Sequence, residues 1–425
     1  MPNPLSSSLF IHSAAQLITP ERIEPGQGSR LTLRVIVHGA VLTVGERIVA
    51  VGTTDELRTD ARVPAATPID ASDNVVAPGF VDSHTHLVFA RTRHEEYEMR
   101  TQGASYETIA AAGGGIRASV RRMHAASEDK LFEEAGRWCT RFLSHGTTTI
   151  EAKSGYGLDL ENELKILRVL RRLNDDSRIP LEIVPTFLGA HEVPDEFREC
   201  RSKYIELVCD EMIPRVTKEK LADFCDVFCE SGVFTLEESR HILTAARDRG
   251  LKLKLHADQL SHSGGTRLAV ELGAVSADHL EQIDDEDVTI LANSDVVATL
   301  LPGASFHLGM KRFAPARKLL DSGAMVALAT DFNPGTSPTI NMQTILAIAG
   351  ASLHMTPAES FSAATLGGAW ALGLQSRLGS LEEGKQADIV IFDLPDYRLI
   401  PYHFGMNSVR AVMKKGQMLF DHGKQ

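Results

Sequence analysis

Between residues 80 and 330, eight short apolar, β-branched runs alternate with amphipathic helical stretches, and this alternation restricts the chain more than any other feature. The runs occupy 80–86, 147–153, 181–188, 225–230, 251–256, 275–279, 296–301 and 326–330. Continuous apolar runs are the mark of strands buried on both faces, and a helix between two such strands returns the chain parallel to itself. The stretches 131–143, 160–173, 236–246 and 266–272 carry apolar residues at i, i+3 and i+4, the helical spacing. Eight units predict an α/β fold of the closed (β/α)8, TIM-barrel type. An open doubly wound sheet is the alternative, and the count of eight decides for the barrel.

The two ends of the chain have a different texture. Residues 8 to about 75 read as short β segments, clearest at 31–37 and 47–52, and a matching pattern returns at 387–393 and 409–417. A lone strand pair is barely stable in water, so the termini are expected to meet. The predicted division is a small composite β-sandwich domain, residues 1–75 with 378–425, flanking a barrel of residues 76–377. No apolar run approaches the roughly 20 residues of a membrane span. The opening Met1-Pro2-Asn3-Pro4-Leu5-Ser6 lacks the basic and apolar regions of a secretory signal, which makes the cytoplasm the expected address. Five cysteines without a C-x-x-C spacing fit reduced thiols. A net charge of −12, with no basic block interleaved with aromatics, argues against nucleic acid as a partner.

Polar residues that end the apolar runs carry the chemistry, because such barrels build their sites at the C-terminal ends of the strands. Val76-Ala77-Pro78-Gly79-Phe80-Val81-Asp82-Ser83-His84-Thr85-His86 turns at Pro78-Gly79 into a strand and closes on a His-x-His pair, whose two imidazoles share one face. Later runs end in His191, His256, His279 and Asp331. Singly, each is read as a satisfied core histidine or a helix N-cap aspartate. Together they form one set. His84, His86, His256 and Asp331 make a mixed nitrogen and oxygen site for one divalent or trivalent cation, Zn or Fe, with room for a water. Such a cation lowers the pKa of its water to about 7. Asp331 is the candidate to take and pass on the water's proton, and His279 the candidate to polarise a carbonyl.

The motifs Asp82-Ser83-His84-Thr85-His86-Leu87-Val88-Phe89, Gly113-Gly114-Gly115-Ile116, Lys153-Ser154-Gly155-Tyr156-Gly157, Leu188-Gly189-Ala190-His191-Glu192-Val193-Pro194, His256-Ala257-Asp258-Gln259 and Ala329-Thr330-Asp331-Phe332-Asn333-Pro334-Gly335-Thr336 carry a resemblance. From about residue 30 to the C-terminus the chain resembles the amidohydrolase superfamily of metal-dependent hydrolases, and within it the imidazolonepropionase family. The resemblance implies hydrolytic opening of 4-imidazolone-5-propanoate to N-formimidoyl-L-glutamate in histidine degradation. It makes His84, His86, His256 and Asp331 the metal ligands and gives Arg93 the substrate carboxylate, with Tyr106 assisting. Tyr156 and His191 would bond the ring, and Asn333, Gly335 and Thr336 would orient the substrate from the last loop. The small substrate is the implied partner, and a homodimer is the candidate assembly.

Three positions have competing readings. Gln259 stands where deaminating relatives place a glutamate that shuttles protons, and an amide cannot titrate. That weakens the alternative of a purine or pyrimidine deaminase; the plain reading is a polar rim residue. Gly113-Gly114-Gly115 lacks the Lys-Ser/Thr of a phosphate cradle, and the resemblance makes it a loop over the site. Lys153 is read as an ion-pair partner of Glu151 or of the loop, rather than a carbamylated bridge between two metals. A non-catalytic metal-binding barrel is the remaining alternative, opposed by the complete set of candidate substrate residues.

Overall fold

The computed structural model describes residues 8–23, 30–104, 108 and 113–423. Five strands open the chain: β1 (Ser8–Arg22), β2 (Leu31–Val44), β3 (Arg47–Thr53), β4 (Thr67–Asp70) and β5 (Val75–Pro78). The next eight are β6 (Phe80–Asp82), β7 (Thr147–Lys153), β8 (Glu182–Ala190), β9 (Phe224–Cys229), β10 (Lys252–Ala257), β11 (Ser276–His279), β12 (Val297–Leu300) and β13 (Val326–Leu328). Three more close the chain, β14 (Ile389–Phe392), β15 (Val409–Lys414) and β16 (Gln417–Asp421).

Strands β6 to β13 pair in sequence order, all parallel, with helices between them, as the alternation predicts. The helices Glu128–Ser144, Leu160–Asp175, Leu236–Arg247 and Gly265–Leu272 fall on the four amphipathic stretches. Side-chain caps start three of them: Ser127, Asp159 and Thr235 each accept from a first-turn backbone N–H, and Thr235 shares a reciprocal box with Glu238.

The first strand differs from its expected extent. Regular pairing stops at Asp82, and His84 and His86 lie on the extension beyond it. That extension meets the segment after β13 instead: Asp331 N–H donates to the His84 carbonyl at 3.0 Å and His86 N–H to the Phe332 carbonyl at 2.8 Å. The Asp82 carboxylate accepts from the Thr330 N–H and hydroxyl at 3.0 and 2.5 Å. The barrel is thus sutured at its mouth, the place where the first and last candidate ligands lie. Lower down, the helical segment 363–370 covers the seam. A Cβ on Gly367 would fall 2.4 Å from the Val326 carbonyl oxygen and one on Gly368 2.1 Å from that of Val81, so the two glycines permit that docking.

The termini come together as one hydrogen-bonded mixed sheet, in the order β16-β15-β14-β5-β1-β2-β3, with β4 also on β1. Two expectations change here. The opening segments are long rather than short, 15 residues in β1 and 14 in β2. A bulge between Ile11 and Ala14, with Ser13 at φ 61°, bends β1 so that its first half pairs with β4 and its second with β5. Both halves contribute to one core, where Leu9, Ile11, Leu17, Ile36, Ile389 and Met413 meet, which gives the sheet its sandwich-like packing. The boundary drawn at residue 75 also moves: Val75–Pro78 belongs to this sheet through β1 and β14, and the barrel starts at Phe80. Gly79 makes the crossing, with no room for a Cβ against Thr148.

Candidate active site and metal centre

His84, His86, His256, His279 and Asp331 converge at the C-terminal mouth of the barrel, each no more than 3% exposed. The Nε2 atoms of His84 and His86 both stand 3.6 Å from Asp331 Oδ1. One ring nitrogen each from His84, His86 and His256 lies within 4.8 Å of the others, and so do one ring nitrogen each from His84 and His279 and a carboxylate oxygen of Asp331. Metal–donor bonds of 2.0–2.2 Å separate tetrahedral donor atoms by roughly 3.3–3.6 Å, so the spacing suits a small cation.

The protonation states suit it too. Burial first, then the positive Lys153 and neighbouring imidazoles, hold His84 well below the usual histidine range; burial, His191 and His256 do the same for His86. Neutral rings offer lone pairs, as ligation requires. His84 Nε2 is buried with no hydrogen-bond partner. Burial pushes the Asp331 carboxyl up to about 7, opposed by His279. A buried set of three imidazoles and a carboxylate, with His84 Nε2 left unpaired, is costly unless something charged completes it, and the residues present fit a metal cation.

Carboxylates that sequence reasoning missed stand behind these histidines. His84 donates its Nδ1–H to Asp278 Oδ2 at 2.6 Å. Asp226 Oδ2 lies 2.9 Å from His256 Nδ1, and Asp226 Oδ1 accepts the His256 backbone N–H at 3.1 Å. Such partners select the ring tautomer and aim the other nitrogen. Lys153 pairs with Glu151 at 2.8 Å, as its sequence reading has it, and also lies 2.8 Å from Asp226. A signal for Asp226 was present: it is an acid in the middle of the apolar run Phe224-Cys225-Asp226-Val227.

His279 and Asp331 sit at φ 84° and 52°, in the left-handed region that side chains seldom adopt. That backbone strain turns both side chains in from the strand ends. Burial alone would depress His279, but Glu281, Asp331 and Asp278 outweigh it and raise the ring above its ordinary value. Glu281, also unforeseen, is buried 3.7 Å from His279 Nδ1 and accepts from Ser305 at 2.9 Å.

Tyr156 and His191 pack beside His86. The His191 ring stacks on His86 with centroids 5.1 Å apart, and its Nδ1–H donates to the Gly155 carbonyl at 2.9 Å, leaving Nε2 as an acceptor. Burial, then His256, pulls His191 down to about 3, so it is neutral near pH 7. Tyr156 lies 5.8 Å from His86 and 5.6 Å from His191, ring to ring. Burial pushes its hydroxyl up, and both Arg93 and Asp331 are near enough to act on it. The loop carrying Tyr156 is clamped by buried Glu163, which accepts the N–H groups of Gly155, Gly157 and Leu158.

Arg93 presses its guanidinium against Gly335, where a Cβ would fall 2.4 Å from Cζ; the glycine makes room for the arginine. Glu96 holds Arg93 Nε at 3.0 Å and accepts from Gly115 N–H at 3.0 Å, tying the glycine run to this wall. Arg100, a further cation and one the sequence reading did not single out, donates to the Gly335 carbonyl. The Asn333 amide is committed to its own loop: it accepts from Gly335 and Thr336 N–H at 2.8 and 2.7 Å and donates to the Asp331 carbonyl and the Thr336 hydroxyl. Asn333 and Thr336 therefore shape the loop that carries Asp331 and Gly335. Gln259 is half-buried, three residues after His256. Tyr106 lies outside the described residues.

Fold and site together define a metal-dependent hydrolase barrel, and comparison with known proteins agrees. The model of the amidohydrolase family matches residues 75–419, and that of the imidazolonepropionase-like composite domain of bacteria matches residues 39–61. An imidazolonepropionase of Geobacillus kaustophilus is 46% identical over 98% of this chain and 99% of its own, and one of Solibacter usitatus is 50% identical over 83% and 84%. The chain belongs to the amidohydrolase family, in its imidazolonepropionase branch. Among solved structures, a triazine hydrolase variant superposes with a TM-score of 0.76 at 19% identity over 97% of this chain and 95% of that one. Guanine deaminase of E. coli does so with 0.70 at 15% identity over 98% and 99%. These two likenesses speak for the fold.

Proposed function

We infer that the chain is an imidazolonepropionase, hydrolysing the ring amide C–N bond of 4-imidazolone-5-propanoate to give N-formimidoyl-L-glutamate. The observation that carries this reading is the mouth itself: the neutral His84 and His86 imidazoles and Asp331 around one point, with both Asp331 and the Arg93 guanidinium near enough to act on Tyr156. Near-full-length similarity to imidazolonepropionases supports it.

In this reading His84, His86, His256 and Asp331 hold one ion, Zn or Fe. When bound, it supplies a Lewis acid and brings the pKa of a coordinated water to about 7. Arg93 binds the propanoate as a guanidinium fork, its own position kept by Glu96 and by the absence of a side chain at Gly335. His191 accepts the N–H of the ring through Nε2, and the Tyr156 hydroxyl donates to the ring from the same side. Asp331 takes the proton of the attacking water and returns it to the departing ring nitrogen. His279 donates to the carbonyl oxygen as negative charge develops there. The C–N bond breaks, the water oxygen remains on the carbonyl carbon as carboxylate, and the nitrogen leaves protonated. Tyr106 assists Arg93, and Gln259 bonds a ring nitrogen without exchanging a proton.

The reading makes this a cytoplasmic enzyme of histidine degradation with a small anionic substrate, no nucleic-acid or membrane partner, and a homodimer as the assembly to measure. Among the described residues no helix is long and apolar enough to cross a membrane. The test is to incubate metal-analysed protein with fresh 4-imidazolone-5-propanoate. Stoichiometric N-formimidoyl-L-glutamate is expected. Ammonia release from purine or pyrimidine bases, with the imidazolone untouched, would overturn the assignment in favour of a deaminase.

A further inference from the structure

Below the candidate ligands lies a charged cluster with no direct part in the steps above. We infer that Lys153 is a positioning residue: one buried ammonium that fastens together the carboxylates holding His84, His256 and the backbone between His84 and His86, and so keeps the metal-binding geometry in place. The inference rests on the metal reading of the site given above.

Its basis is the connectivity. Lys153 Nζ is completely buried and lies 2.8 Å from Glu151 Oε1, 2.8 Å from Asp226 Oδ2 and 3.7 Å from Asp278 Oδ2. Each carboxylate then touches a different piece of the site. Glu151 Oε2 accepts the backbone N–H of Thr85 at 3.1 Å, while the Lys153 N–H donates to the Thr85 carbonyl at 2.9 Å. Asp226 Oδ2 is shared between Lys153 and His256 Nδ1, at 2.8 and 2.9 Å. Asp278 Oδ2 receives the Nδ1–H of His84 at 2.6 Å. The contacts join β7, β9 and β11 to ligands on the β6 extension and β10, so five staves of the barrel are referred to one ammonium.

Charge makes the arrangement sensitive to that ammonium. Three fully buried acids surround the ammonium, and like charges repel far more strongly there than at a surface. Lys254 gives Asp278 a second cation at 3.6 Å and acts on Glu151 as well, whereas among the described residues Lys153 is the one ammonium paired with Asp226. Replacing Lys153 with a neutral chain of similar length removes the one ammonium that lies 2.8 Å from both Asp226 and Glu151. They move apart, and each carries a piece of the site with it.

The test is metal retention. Zinc-loaded full-length protein is challenged with a chelator, and zinc release is followed in wild type, Lys153→Met and Asp226→Asn. Loss of an outer partner of a ligand typically weakens metal binding by roughly 10–100-fold, and that loss is expected in both variants, with KM for the substrate unchanged in the metal-saturated enzyme. A merely structural lysine would lower thermal stability and leave the zinc affinity of the folded protein as in wild type. A folded Lys153→Met protein with wild-type zinc affinity overturns the inference. Should that variant fail to fold, wild-type affinity in Asp226→Asn does the same. The chelator assay uses no substrate, so a wild-type chain that holds zinc yet leaves the imidazolone intact sinks the proposed activity alone.

Discussion

The two ends of the barrel treat buried charge in opposite ways. At the mouth, His84 Nε2, His86 Nδ1, His279 Nδ1 and Glu281 Oε2 are buried with no hydrogen-bond partner, and the backbone at His279 and Asp331 is strained. At the base, where the barrel rests on the terminal sheet, the charges are matched. Glu182 accepts from Arg377 and Lys414, each at 3.1 Å, and Lys414 reaches Asp388 at 2.7 Å. Unsatisfied polar groups cost free energy, so a fold keeps a cluster of them where something else completes the set. The base serves stability and the mouth serves chemistry, a division general to barrels of this kind.

The largest effect that would test this contrast is loss of a candidate ligand. His256→Ala or Asp331→Ala should abolish turnover and leave less than one metal ion per chain by elemental analysis, with the fold kept. A metal-replete, active His256→Ala protein would break the contrast at the mouth. Next comes Arg93→Ala, which removes a contact to a carboxylate worth about 2–4 kcal/mol and should raise KM far more than it lowers kcat. Gly335→Ala, by pushing on the guanidinium, should shift KM in the same direction by less.

At the base the readout changes from rate to stability. Glu182→Gln should leave KM and kcat unchanged and cost on the order of 2 kcal/mol, less than a wholly dry pair, because Glu182 keeps some exposure. Burial would raise the Glu182 carboxyl, but Arg377 and Lys414 outweigh it and hold it down from 4.5 to about 2. A depressed carboxyl stabilises the fold fully above its unfolded pKa and loses that contribution as pH falls through the folded value. The gap in Tm between wild type and Glu182→Gln should therefore be widest above pH 4.5 and close as pH falls toward 2. A gap that grew on acidification would reverse the sign and refute the pairing.

The smallest effect should come from a third cluster. His262, Asp284 and Asp287 are also spaced to hold an ion, yet Arg267 lies 2.8 Å from Asp287 and 3.4 Å from Asp284. Donors already matched by a cation have no need of another, so Asp284→Asn should leave the metal content per chain unchanged.

Much of this organisation was legible in the order of residues. The eight strand runs and four amphipathic helices rest on local periodicity, which survives into the fold because each element buries one stripe or both faces. His84 and His86 were legible for the same local reason, as an i, i+2 pair on the extended segment that follows β6. What escaped is non-local. His84 meets Asp278 across 194 positions and Asp82 meets Thr330 across 248, and no spacing along the chain announces such pairs. The length of β1 escaped because its bulge at Ser13 breaks the alternation that marks a strand. The place of Val75–Pro78 was hidden because an apolar run looks alike in either sheet.

The most direct measurement is anomalous diffraction from crystals of the metal-loaded protein, collected at the absorption edge of the bound ion. A single peak is predicted between His84, His86, His256 and Asp331, within about 2.0–2.2 Å of one donor atom from each. A peak elsewhere, or none at that point in protein that turns over its substrate, would contradict the account.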